Sequence, residues 1–418
     1  MELKPAYKQT EVGIIPEDWE VKKLKQILFL KSGYAFSSEY YSNKGPILLT
    51  PGNFKLNGGL YFNERNTKRY SGTYSSSAKF EYGDLLVVMT DLTPDCKLLG
   101  KPAFVYLHEP ILHNQRIGKI DLLNKQVIPE FLYWYFLSDY HCSRMKATAT
   151  GSTVRHTSNG SIYNGFIALP PLPEQRAIAA TLSDTDVLLN SLDRLLAKKR
   201  DIKQAVMQQL LTGKQRLPGF GGEWNLKEVK DLVQVPVTDG PHTTPQFQDA
   251  GIPFLSVNNI VDNRINFDDL RYISLSDHEL FSKKCKPMKN DILLGKAASV
   301  GKVALVELEA EFNIWSPIAL LRISARYSPK FFYYLFQSSE VIKQITLLTN
   351  SSSQGNLGMG DIEKIELYFP SHSEQTAIAA VLSDMDAEID VLQQRRNKTR
   401  VIKQGMMQEL LTGRTRLV

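Results

Sequence analysis

The residues of this chain best suited to chemistry lie in loops, and the chemistry they suit is recognition. Arg and Lys sit among glycine and short polar donors in Lys31-Ser32-Gly33-Tyr34, Thr90-Asp91, Lys97, Asn114-Gln115-Arg116 and Gly151-Ser152-Thr153-Val154-Arg155-His156. A second set follows in Thr238-Asp239-Gly240-Pro241-His242-Thr243-Thr244, at Lys296 and Ser299, and in Ser352-Ser353-Gln354-Gly355-Asn356. Arg pairs two-pronged with a guanine edge and Asn or Gln with adenine, while Ser, Thr and Lys also grip phosphate. Singly, each such loop is solvated surface.

Motifs for bond making are incomplete. Gly295–Val303 places five residues between its glycines and Val303 where a phosphate loop needs Ser or Thr, so it reads as strand–turn–strand with a basic rim. Gly355-Asn356-Leu357-Gly358-Met359-Gly360 is not a dinucleotide fingerprint. Pro94-Asp95 has no acidic-x-Lys after it, and the Asn/Asp-Pro-Pro-aromatic signature of amino-methylating DNA methyltransferases does not occur. His108 and His113 have no third ligand nearby and read as surface histidines. The pairs Asp184/Asp186 and Asp384/Asp386 fall mid-helix and are expected to face solvent or partner lysines. Cys96, Cys142 and Cys285 show no C-x-x-C spacing, which argues against a zinc site or disulfide scaffold and for a reducing cytoplasm. Neither a catalytic residue nor a metal ligand is expected.

What positions the loops is a duplication. Aligning 174–217 with 374–417 leaves 24 of 44 positions identical. Upstream the repeat is fainter. Pro129-Glu130-Phe131-Leu132-Tyr133 answers Pro329-Lys330-Phe331-Phe332-Tyr333, Asp84-Leu85-Leu86 answers Asp291-Ile292-Leu293, and Trp19 answers Trp224. Each half thus begins at a Trp segment, passes through a variable body and ends in a near-constant tail. The recognition loops are what differs between two copies of one frame.

The tail reads as a long helix. Pro173 suits a first turn, Ser373 is the expected N-cap of the second copy, and Thr212-Gly213 and Thr412-Gly413 supply the stops. Apolar residues recur at Ile178, Leu182, Leu189, Leu192, Leu196, Ile202, Val206 and Leu210, and at Ile378, Leu382, Ile389, Leu392, Ile402, Met406 and Leu410. That stripe predicts a coiled-coil seam between two rods of about 57 Å packed antiparallel. In the bodies, Phe80–Met89, Gly295–Leu308, Pro46–Leu49 and Pro253–Ser256 read as strands, and Glu130–Asp139 and Lys330–Ser339 as buried aromatic helices. The mixture predicts two α+β modules.

The tail from Leu172-Pro173-Glu174-Gln175-Arg176-Ala177-Ile178-Ala179, through Ile202-Lys203-Gln204, to Leu210-Leu211-Thr212-Gly213-Lys214-Gln215-Arg216-Leu217 resembles the constant region of specificity (S) subunits of type I restriction–modification enzymes. Thr238–Pro245 followed by Gly251-Ile252-Pro253-Phe254-Leu255 is similar to the opening of many of their target recognition domains. The resemblance implies an internally duplicated, pseudo-twofold α+β chain, with target recognition domains at 1–168 and 218–368 and long conserved helices at 169–217 and 369–418. Each domain would read one half of a bipartite, asymmetric site in double-stranded DNA. The helices would space the domains and dock two methyltransferase (M) subunits, through which restriction (R) subunits join. S-adenosylmethionine, ATP and Mg²⁺ would belong to those partners, leaving this chain non-catalytic and without a cofactor.

On this reading the candidate DNA contacts are Lys31, Tyr34, Thr90, Asp91, Lys97, Arg116, Arg155, Thr238, Asp239, His242, Thr243, Lys296, Ser299, Gln354 and Asn356. The candidate docking residues are Glu174, Gln175, Ile178, Lys203 and Gln204 with Glu374, Gln375, Ile378, Lys403 and Gln404. Thr90–Thr93 and Lys31–Tyr34 stand where the second copy has Lys296–Ser299 and Asp239–His242, so base contacts do not transfer between copies.

Composition sets the bounds. The 418 residues, 43% hydrophobic and 22% charged, exclude a disordered or fibrous chain. The longest apolar run, Phe131–Leu137, is far short of the ~20 residues that cross a bilayer, and Met1–Pro5 lacks the pattern of a signal peptide. A net charge of +6 leans weakly towards a polyanion, with phosphate neutralisation shared with partner subunits. A duplicated coiled-coil adaptor without a DNA role is the alternative. It leaves divergent, base-reading loops unexplained.

Overall fold

Leu85-Leu86-Val87-Val88 and Ile292-Leu293-Leu294-Gly295 are apolar on successive residues, so a strand made from either must be covered on both faces. In the computed structural model, which describes residues 6–93, 95–350 and 355–417, both are fully buried inner strands. Each lies in one of two units. The first takes the residues up to Leu192 and those from Arg395 onwards, and the second takes Asp193–Gln394.

The units share one topology. The first has a four-stranded antiparallel sheet in the order Leu28–Ser32, Ile117–Leu122, Leu85–Val88, Pro102–Phe104. The second has Thr238–Asp239, Ile318–Leu321, Ile292–Gly295, Val303–Leu305 in the same order and sense. A mixed three-stranded sheet recurs too: Ile111–Leu112, Tyr41–Leu48, Arg69–Tyr70 against Asn313–Ile314, Ile252–Leu255, Arg271–Ile273. In both, the first pair is parallel and the second antiparallel. A ribbon of Glu20–Lys23 with Phe166–Leu169 is matched by Asn225–Glu228 with Glu366–Phe369. The duplication thus extends through the bodies, where sequence identity has faded. Gly295–Val303 is the turn between two antiparallel strands, as the failed phosphate-loop spacing suggested.

Each aromatic helix, Pro129–Leu137 and Pro329–Leu335, is buried on nearly every side, which marks a central core helix. The first stops two residues earlier than expected because Ser138 turns extended (φ −63°, ψ 151°) and caps a second helix, Asp139–Ala147, through His141 N–H (3.3 Å). Among the described residues, the hairpin Tyr7–Thr10/Gly13–Pro16 and the ribbon Thr90–Asp91/Arg155–His156 belong to the first unit only. The helix Leu275–Ser282 belongs to the second.

The long helices span Leu172–Leu210 and His372–Leu410, 39 residues each. Ser373 is not the N-cap; it lies inside the first turn, and Gln375 N–H donates to Ser371 O (2.9 Å). Gly213 and Gly413 (φ 69° and 70°) take the left-handed conformation that ends a helix, as expected. In each unit a stretch of one helix packs antiparallel on a stretch of the other: Asp186 on Lys403 in the first, Lys203 on Asp386 and Lys199 on Glu388 in the second. The seam departs from expectation at Ile202 and Ile402, which are 40% and 48% exposed. Steps of three and four from Leu196 lead to Lys199, Lys203 and Val206, so a charged lysine takes the inward position and its isoleucine neighbour turns out.

Candidate nucleic-acid interface

Strand register brings the separate loops of the first unit to one end of its four-stranded sheet. Ser32 lies opposite Gly118, and Ile117 lies opposite Val88. Chain leaving through Gly33-Tyr34, arriving through Gln115-Arg116 and leaving through Met89-Thr90 therefore shares that end. Met89 N–H donates to Arg116 O (2.9 Å), Thr157 N–H to Met89 O (3.0 Å), and Tyr34 N–H to His113 O (2.8 Å). The ribbon pairing Thr90-Asp91 with Arg155-His156 adds a fourth segment. Lys31, Tyr34, Arg116 and Arg155, far apart in sequence, are thereby gathered. The backbone must pass close here: a Cβ on Gly33 would lie 2.3 Å from Asn114 O, so only glycine fits.

Two expectations for this end are corrected. Asp91 is fully buried and accepts from Thr93 N–H (2.7 Å), Thr93 Oγ1 (2.9 Å) and Leu98 N–H (2.6 Å). It ties down the loop carrying Lys97 and, with no surface exposed, presents no oxygen to a base edge. Thr90 is buried as well, with Oγ1 3.1 Å from His156 Nδ1. Arg116 is exposed and Tyr34 partly so, its hydroxyl 2.9 Å from Ser77 Oγ. Lys97 pairs with Asp95 on the surface (3.1 Å). His113 is not a surface histidine. Burial pushes its pKa down, and its ring lies tilted against Phe80 with centroids 4.4 Å apart.

The second unit repeats the arrangement with other side chains. Asp239 lies opposite Ala319 and Gly295 opposite Ile318. Lys296 N–H donates to Pro317 O (2.8 Å), and Leu357 N–H to Lys296 O (2.8 Å). Those bonds match the pair around Met89. A Cβ on Gly240 would lie 1.7 Å from Ile314 O, the counterpart of the crossing at Gly33. By these registers Asp239 answers Ser32 and Lys296 answers Met89. The pairing expected from sequence was off by one residue, enough to turn a strand residue to the other face.

Asp239 is wholly buried at this end among three basic groups: Lys284 Nζ at 2.5 Å, Lys296 Nζ at 3.2 Å and His242 Nε2 at 3.1 Å. Burial pushes its pKa up, but the Lys284 and Lys296 ammonium groups outweigh it and hold the carboxyl below its usual range. Thr243 and Asn356 are exposed, and Thr238 and Ser299 half-buried. Pro94 and Ser352, Ser353 and Gln354 lie outside the described residues. Lys284 was missed from sequence because the helix before it, among the described residues, has no α-helical copy in the first half to mark the position. Among the described residues, no group of three or more His, Cys, Asp or Glu is placed to hold a metal ion, and no helix is long and apolar enough to cross a membrane.

Most of the expected docking residues are used inside the chain. Glu174, Gln175, Ile178 and their copies Glu374, Gln375 and Ile378 are all buried. Glu174 accepts from Arg416 and from Trp19 Nε1 (3.0 Å), and Glu374 pairs with Arg216. Gln175 Oε1 accepts from Ile128 N–H (3.1 Å) and Gln375 Oε1 from Ser328 N–H (3.0 Å). Lys403 pairs with Asp186 beneath the Trp134 ring, and Lys203 with Asp386 beneath Tyr334. The lysines expected to meet these aspartates thus come from the same chain. Gln204 and Gln404 remain exposed. The tail arginines were legible only as part of the constant segment, and their partners sit beside the Trp segment that opens each half.

A family model described as the type I restriction modification DNA specificity domain matches residues 16–200 and again 221–399. The type I restriction enzyme EcoBI specificity subunit of Escherichia coli is 25% identical over 430 residues, covering 95% of this chain and 85% of that protein. The MjaVIII specificity subunit of Methanocaldococcus jannaschii is 22% identical over 424 residues, covering 96% and 94%. Among solved structures, the type I restriction–modification S subunit from M. genitalium superposes with a TM-score of 0.62 at 15% identity over 98% of both chains. That likeness shows the fold.

Proposed function

Since this chain belongs to the family of type I restriction modification DNA specificity domains, we propose that it is the sequence-reading subunit of such a complex. Each unit reads one half of a bipartite duplex site from the end of its four-stranded sheet, entering the major groove about one helical turn or slightly more from the other. The half-sites differ, so the full site is not a palindrome. The observation that carries this reading is that the same sheet end, built by the same backbone crossings, bears different side chains in the two units.

The long helices set the unspecified spacer and dock two methyltransferase subunits, and restriction subunits join through those. Because the constant Glu, Gln and Ile side chains are buried, docking falls to outward positions such as Gln204 and Gln404. The base to be methylated must leave the stack and enter the partner's pocket. This chain supplies placement, in the cytoplasm, and S-adenosylmethionine, ATP and Mg²⁺ belong to the partners.

The test is co-expression with a cognate methyltransferase subunit, followed by mapping of modified bases on host DNA. A gapped, asymmetric methylated motif is expected. An ungapped or palindromic motif would overturn two divergent half-site readers.

A further inference from the structure

Around Asp239 a single buried carboxylate gathers two ammonium groups, Lys284 and Lys296, that would otherwise repel one another, with the His242 imidazole beside them. Lys296 is only 15% exposed, whereas Lys284 is 50% exposed. The Lys284 ammonium gives one hydrogen to Asp239 Oδ1 (2.5 Å) and one to Gly240 O (3.3 Å). An ammonium has three donors, so one is left. Lys296 Nζ (3.2 Å) and His242 Nε2 (3.1 Å) lie beside the other carboxylate oxygen, which accepts no well-formed hydrogen bond and is held by charge alone.

Lys284 follows the Leu275–Ser282 helix, which among the described residues has no α-helical counterpart in the first unit, and the residue answering Asp239 there is Ser32. We infer that Asp239 is a positioning residue for the second half-site: it touches no DNA itself, and it aims the remaining N–H of Lys284 at an acceptor atom of the duplex. The inference rests on the DNA-reading role proposed above. The acceptor is a guanine edge or a backbone phosphate, and the two give different outcomes.

The test compares wild type, Lys284→Met, Asp239→Asn and the neighbouring control Lys283→Met, each in complex with the methyltransferase subunit. Modified-base mapping gives the motif. Binding of the purified complex to its mapped site across a salt series gives the slope of log affinity against log salt. If Lys284 meets a base, Lys284→Met admits other bases at a position of the second half-site only. If it meets a phosphate, the motif stands and the slope falls by about one unit. Asp239→Asn is expected to reproduce whichever change Lys284→Met makes, and Lys283→Met to make none.

Lys284→Met without change in either readout overturns the inference, as does Asp239→Asn that folds normally yet leaves motif and slope at wild type. A change confined to the first half-site, or one that Lys283→Met also produces, overturns it too. Lys284 is half-exposed, so its variant decides the contact even if Asp239→Asn unfolds. A wild-type complex that leaves no gapped motif sinks the parent reading, whereas a wild-type motif indifferent to Lys284 sinks this inference alone.

Discussion

Glu174 is a carboxylate that tolerates burial because donors surround it: Arg416 reaches both oxygens (2.7 and 2.8 Å) and Trp19 Nε1 one (3.0 Å). Removing Glu174 leaves Arg416 only its exposed partner Asp18 (3.0 and 2.8 Å) and the buried Trp19 N–H without its acceptor, and removing Glu374 strands Arg216, at a cost of about 2–4 kcal/mol where one partner is part-exposed. Glu174→Gln is expected to loosen the first unit and Glu374→Gln the second, read by hydrogen exchange; protection unchanged around Trp19 in the first variant would refute this. His141 is buried against Phe136 and Tyr135, with centroids 4.5 and 5.4 Å away. Burial, with repulsion from Arg144 and Lys101, pushes its pKa from 6.5 down to about 3. Between those values the unfolded chain binds a proton that the folded chain refuses, so acid destabilises the fold across that window. His141→Leu should flatten the fall in urea midpoint from about pH 7 to about pH 4. A fall as steep as wild type would show that other groups set it.

At the scale of the element, the long helices were the most legible part of the chain, because periodicity, proline and terminal glycine all act within a turn or two. The misplaced seam positions show the limit. Ile202 looked inward by hydrophobicity, but Lys203 goes inward because Asp386, 183 residues away, receives it. Loop positions were harder still, since strand register decides which of two neighbours turns outward at the sheet end. If the helices set the spacer, inserting one turn in each adds about 5.4 Å against a base-pair rise of about 3.4 Å. The methylated motif should then keep both half-sites and lengthen its gap by one or two base pairs. Altered half-sites with an unchanged gap would contradict the assignment.

For the molecule as a whole, duplication makes the modules separable in function. Replacing residues 218–368 with the matching segment of another family member is expected to change the second half-site alone, as read by modified-base mapping; a change in the first half would show that the two are read jointly. Two copies, a long helix at the end of each and a likeness to specificity subunits can be read from the residues alone, because identity, periodicity and helix stops are carried by neighbours along the chain. Which polar residues are free to act depends on the packing of distant segments. Thr90 and Glu174 look like recognition or docking groups in a string of letters, yet their partners come from 66 and up to 243 residues away, whereas Asp91 is consumed by its own loop within seven residues. A buried polar group must be bonded, and no local pattern reveals which distant donor will do it.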